Sequence, residues 1–126
     1  MGTKLRVLVV EDDATVRDVL TTLLGFDGFV VAAAPDGSAG LQMAESLQPD
    51  IVLLDVVLPG IDGLEICRSI RKRSPDTRVV MVTGRGTAED ELDGVAAGAD
   101  AYLRKPFSPL ELLEALGVGE NGSVLR

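Results

Sequence analysis

Ile51-Val52-Leu53-Leu54-Asp55 is four apolar residues closed by an aspartate. A short apolar run without alternation reads as a strand covered on both faces, as in a buried parallel sheet. The acid then marks the strand's carboxyl end. Val7-Leu8-Val9-Val10, followed by Glu11-Asp12-Asp13, repeats the pattern. If the two runs are parallel neighbours, their carboxylates leave the sheet on one edge and converge. Two carboxylates about 4 Å apart repel by about 4 kcal/mol at an effective dielectric of ~20. Such a cluster requires a cation or a shared proton, and its simplest purpose is a divalent metal beside a reactive aspartate.

Outward from these runs, β-type and helix-type patterns alternate. Val16, Leu20, Leu23 and Leu24 keep the spacing of one helix face, which Gly25 and Gly28 end. Phe29 to Ala32 reads as a second strand, and Gly40, Ala44 and Leu47 mark a helix stopped by Pro49. The third strand is Ile51 to Leu54. Ile66, Cys67 and Ile70 line a helix with Arg and Lys at its C-terminal end, where the helix dipole favours cations, before Ser74-Pro75 breaks it. Val79 to Val82 is a fourth strand. Leu92, Val95 and Ala96 line a helix capped by Gly98, Ala101 to Leu103 is a short fifth strand, and Leu112, Leu113 and Leu116 line a last helix. Five such units call for an α/β domain: a (βα)5 three-layer open parallel sheet with right-handed crossovers. Ligands of these sheets bind beyond the strands' carboxyl ends.

Composition limits the function. A chain of 126 residues with 46% apolar content fits one globular domain. A net charge of −8 with no histidine repels nucleic acid and anionic lipid, so any DNA-related role belongs to a partner or a missing module. No apolar stretch reaches ~18 residues and the start has no signal-peptide core, so a cytoplasmic protein without a membrane segment is expected. Cys67 stands alone and reads as a small buried hydrophobe on a helix. Residues 1–117 form the expected domain. The Gly-rich residues 118–126 read as a flexible tail or the start of a linker to an absent output domain.

The polar residues gathered at the sheet edge are Glu11, Asp12, Asp13, Asp55, Thr83 and Lys105, a set suited to phosphoryl transfer onto a carboxylate. Attack by Asp55 on an anionic phosphoryl group needs a hard cation with oxygen ligands, and Mg2+ fits. Asp12 and Asp55 are expected to ligate it directly and Glu11 through water. Lys105 and Thr83 can hold the phosphoryl oxygens, and Gly84 leaves room for a backbone N–H to approach them. Asp13 reads as the cap of the first helix in preference to a ligand. Asp62, before Gly63, reads as a turn or helix-start residue.

Val9-Val10-Glu11-Asp12-Asp13, Leu54-Asp55-Val56-Val57-Leu58-Pro59-Gly60-Ile61-Asp62-Gly63, Val82-Thr83-Gly84 and Lys105-Pro106-Phe107, in this order and at strand ends, resemble bacterial two-component response regulator receiver domains over about residues 4 to 117. The resemblance implies a flavodoxin-like (βα)5 fold of strand order 2-1-3-4-5. It implies Asp55 as phosphoacceptor, Mg2+ held by Glu11, Asp12, Asp55 and the Val57 backbone carbonyl, and a cis bond before Pro106. It pairs Thr83 with Tyr102 as a switch in which the hydroxyl moves toward the phosphoryl group and the ring rotates inward. It implies a histidine kinase as phosphodonor.

The family's output surface is the fourth helix, fifth strand and fifth helix, here carrying Glu89, Asp90, Glu91, Asp93, Asp100, Arg104, Glu111 and Glu114. The spacing there resembles receivers joined to winged-helix DNA-binding domains, which form homodimers through this face. The last helix lacks the basic residues that usually pair with those acids. Val57 and Arg85 are expected to sit over the phosphoryl group and slow its hydrolysis. The reading is a signalling switch and not an enzyme. Its alternative is a Mg2+-dependent phosphatase with an aspartyl-phosphate intermediate, against which stands Val57, where such enzymes carry a second acid. A flavodoxin-like cofactor binder is disfavoured because the acidic first loop repels phosphate.

Overall fold

The two apolar runs lie side by side in the computed structural model, which describes residues 4–56, 58, 62–84 and 93–117. β1 (Arg6–Val10) pairs in parallel with β3 (Ile51–Asp55), Val10 opposite Leu54. Around them follow α1 (Ala14–Phe26), β2 (Val30–Ala34), α2 (Gly37–Leu47), α3 (Gly63–Arg73) and β4 (Arg78–Thr83). The chain then runs through α4, described over 93–96, to β5 (Ala101–Arg104) and α5 (Pro109–Leu116). All five strands are parallel in the order β2-β1-β3-β4-β5, the expected (βα)5 arrangement. The expected tail, 118–126, lies outside the described residues.

Period-two alternation along the buried strands divides the interior into two cores. Val7, Val9, Ile51, Leu53, Val80 and Val82 face α1 and α5, meeting Leu20, Leu24, Leu112 and Leu116. Leu8, Val10, Val52, Leu54, Val79 and Met81 face the other way and meet Ile66, Cys67 and Ile70 of α3. Each large side chain buried this way contributes about 1.5–3 kcal/mol, so the frame does not depend on its polar edge for cohesion. Cys67 is wholly buried, as expected of a small hydrophobe, and burial raises its thiol pKa.

Strand limits differ from the sequence reading in two informative ways. β2 starts at Val30 because the Phe29 N–H donates to the Leu24 carbonyl and so closes α1, while Ala34 stays in the sheet opposite Val10. β3 and β4 each run one residue further, taking in Asp55 and Thr83, with Asp55 opposite Val82. Both residues therefore have sheet backbone and inherit its rigidity.

Helix starts follow capping chemistry. Asp13, Asp36 and Asp62 each accept N–H bonds of the first helical turn. That agrees with the helix-start readings of Asp13 and Asp62. Ser108 and Glu111 form a reciprocal capping box, Ser108 Oγ accepting from the Glu111 N–H and Glu111 Oε1 from the Ser108 N–H, both at 3.1 Å. Ser108→Ala is expected to cost about 1 kcal/mol. A urea titration reads this as a lower midpoint at unchanged slope.

Candidate functional site

The adjacent ends of β1 and β3 deliver Glu11 and Asp55 to one place. Glu11 is only 3% exposed, and both its oxygens are engaged: Oε1 accepts from Lys105 Nζ at 2.8 Å and Oε2 from the Asp13 N–H at 3.0 Å. Asp55 is 8% exposed, and its Oδ2 lies 3.4 Å from the same ammonium, closer to a charge contact than a tight hydrogen bond. Asp12 is exposed beside them, and one oxygen from each of Glu11, Asp12 and Asp55 lies within 4.8 Å of the others.

Lys105 reaches this point from the far side of the sheet. Its N–H donates to the Thr83 carbonyl at 2.8 Å, and its peptide bond to Pro106 is cis, as the resemblance implies. Burial works to lower the Lys105 pKa. The hydrogen bond to Glu11 and the charges of Asp55 and Glu11 outweigh that, and the net pKa is raised above the ordinary lysine value.

Glu11, Asp12, Asp13, Val16, Asp55, Gly84 and Lys105 line an open cleft of about 370 Å³ over the cluster. Thr83 is buried at the end of β4. Tyr102 lies opposite Met81 in the β4–β5 register and packs against the core on the α3 side, with its ring beside Gly94. The Thr83–Tyr102 rearrangement remains an expectation. Val57 and Arg85 lie outside the described residues, as do Glu89, Asp90 and Glu91.

Gly63, the first residue of α3, sits tightly behind Asp55. A Cβ there would lie 2.8 Å from the Val56 carbonyl oxygen and 2.9 Å from that of Asp55. Only a hydrogen fits between the helix and the backbone that carries the acid.

Arg17 had no role in the sequence reading, and Arg71 only that of a cation at the C-terminal end of α3. Arg17 of α1 donates through Nη1 to the carbonyls of Glu11 at 2.8 Å and Asp12 at 3.4 Å. The available signal was a cation near the start of a helix, the end where the dipole disfavours one. Arg71 of α3 donates to the Gly98, Pro75 and Thr77 carbonyls and to Asp100, whose Oδ2 also accepts from the Val79 N–H at 2.8 Å. Asp100, expected on the output face, has one carboxylate oxygen committed inward. Asp93, Arg104, Glu111 and Glu114 are exposed.

The donor set is oxygen-only, acidic and gathered, which suits a hard divalent cation such as Mg2+. An open parallel sheet of this strand order, with three acids and a lysine gathered at its carboxyl edge, defines the class as a flavodoxin-like α/β domain. The family model described as response regulator receiver domain matches residues 7–117, and the chain belongs to that family. It is 44% identical over 108 residues to the response regulator MprA of Mycobacterium ulcerans, covering 86% of this chain and 47% of that protein. It is 43% identical over 112 residues to a probable transcriptional regulator, ycf27, of Guillardia theta, covering 89% and 44% respectively. The chain thus spans about half the length of these curated relatives. A CheY-like receiver domain protein from Methanospirillum hungatei superposes with a TM-score of 0.85 at 35% identity, covering 89% of this chain and 90% of that one. No helix among the described residues is long and apolar enough to cross a membrane.

Proposed function

We propose that the chain is a phosphorylation-dependent switch that accepts a phosphoryl group on Asp55 from a histidine kinase. The observation that carries this reading is Lys105 Nζ set between Glu11 and Asp55, with Asp12 alongside. Asp55 Oδ forms the new bond to phosphorus as the P–N bond to the donor imidazole breaks, and the pair of electrons leaves with the imidazole nitrogen. Lys105 then faces a phosphoryl oxygen in place of the carboxylate oxygen, and Gly84 leaves the cleft open to it. Glu11, Asp12, Asp55 and the Val57 carbonyl would hold Mg2+, which supplies charge neutralisation between the acid and the incoming anion.

The modified site acts on the α4, β5 and α5 surface. One charge-assisted hydrogen bond is worth about 1.5–3 kcal/mol, whereas inverting a 1:99 population needs about 5.5 kcal/mol. Thr83 and Lys105 therefore act together, with Tyr102 following, and a homodimer or an output partner completes the shift. Control of transcription is the output that the relative named as a probable transcriptional regulator supports.

Incubation with acetyl phosphate, with and without Mg2+, tests the reading by intact mass. A gain of one phosphoryl group is expected only with Mg2+, and borohydride reduction followed by peptide sequencing is expected to map it to Asp55. Modification at another residue, or steady release of phosphate without a phosphorylated intermediate, would overturn the assignment.

A further inference from the structure

We propose that Arg17 is a positioning residue for the divalent cation, holding the acidic β1–α1 turn in its metal-ready shape; this rests on the assignment of Glu11, Asp12 and Asp55 to the cation. The turn has three residues, Glu11, Asp12 and Asp13, between β1 and α1. Two of them are fastened by other means. The Glu11 N–H donates to the Ala34 carbonyl and its carboxylate meets Lys105, while Asp13 caps α1 through Thr15 and Val16. Asp12 is different. Among the described hydrogen bonds, the contact from Arg17 Nη1 to its carbonyl is the only one on this residue.

Asp12 is exposed, unlike the buried Glu11 and Asp55, so water gives its side chain no fixed direction. One guanidinium nitrogen, Nη1, bonds the Glu11 carbonyl at 2.8 Å and reaches the Asp12 carbonyl at the longer 3.4 Å, drawing two consecutive carbonyls toward one point. The backbone so held sets where the Asp12 carboxylate can point. Outer partners that orient metal ligands are commonly worth 10–100-fold in metal affinity.

The sign of the effect separates positioning from electrostatics. Arg17 is a cation beside a cation site, so on charge alone its removal strengthens binding. Positioning gives the opposite result. Isothermal titration with Mg2+ at fixed ionic strength is expected to show Arg17→Ala binding about tenfold more weakly than wild type. Arg17→Lys, which keeps the charge but replaces the rigid guanidinium with an ammonium on a flexible stem that holds no fixed position at the two carbonyls, is expected to be weaker by a smaller factor. Thermal melts without Mg2+ check that both variants are folded. Equal or tighter binding by Arg17→Ala overturns the proposal while leaving the Asp55 reading intact. If Arg17→Ala does not fold, Arg17→Lys decides, and wild-type affinity there overturns it. Failure of the wild type itself to bind Mg2+ removes the metal assignment and this proposal with it.

Discussion

Lys105→Met is expected to slow phosphoryl transfer to Asp55 by about 10²–10³-fold at saturating Mg2+, the usual loss when one donor to a developing oxyanion is removed. Cation binding is expected to move the other way. Lys105 is the positive charge that Glu11 and Asp55 share, so methionine leaves three acids facing one another and raises their appetite for Mg2+. A time course by mass spectrometry and a Mg2+ titration on the same preparation check both signs. An unchanged rate, or weaker Mg2+ binding, would count against a phosphoryl-facing lysine.

Stability without metal should fall as well. Glu11 is buried and loses its ionic partner, at a cost of about 1–3 kcal/mol for an acceptor left short of a donor. The pH dependence has a definite direction. A lysine whose folded pKa is raised stabilises fully below its unfolded value of about 10.4, and that contribution fades as pH rises through the higher folded value. The gap between wild type and Lys105→Met in urea is therefore constant near neutrality and closes above about pH 10.4.

Gly63→Ala is expected to destabilise by about 2 kcal/mol, although alanine is the better helix former by about 1 kcal/mol. The added methyl meets the backbone carbonyls of Val56 and Asp55 at under 3 Å, and neither can swing away as a side chain could. Relief requires α3 and the end of β3 to separate, which moves Asp55 relative to Glu11 and Lys105. Phosphoryl uptake should fall with stability. Gly25→Ala is the matched control: nothing lies within 4 Å of a Cβ there, and a gain of about 0.5 kcal/mol is expected. If both variants shift the urea midpoint in the same direction, the backbone clash at Gly63 is not what governs that position.

The sheet was legible because Val7 to Val10 and Ile51 to Leu54 are apolar without interruption, a pattern that two-sided burial imposes. Bringing Glu11, Asp55 and Lys105 together then followed from parallel topology alone, since residues at strand ends become neighbours whatever their separation. The β2 start at Val30 was not legible, because Phe29 serves the helix through its N–H and the core through its ring. The hydrogen bonds of Arg17 and Arg71 escaped for a related reason. Their partners are mostly main-chain carbonyls, which every residue has, so no residue type in the sequence marks the far end of the bond.

The ring of Tyr102, set beside Gly94 and level with Met81, belongs to a chain with one tyrosine and no tryptophan. Emission excited at wavelengths longer than phenylalanine absorbs therefore arises at a single point, on β5. The protein carries its own optical gauge there, and rearrangement of α4 against β5 can be followed in real time without attaching a dye.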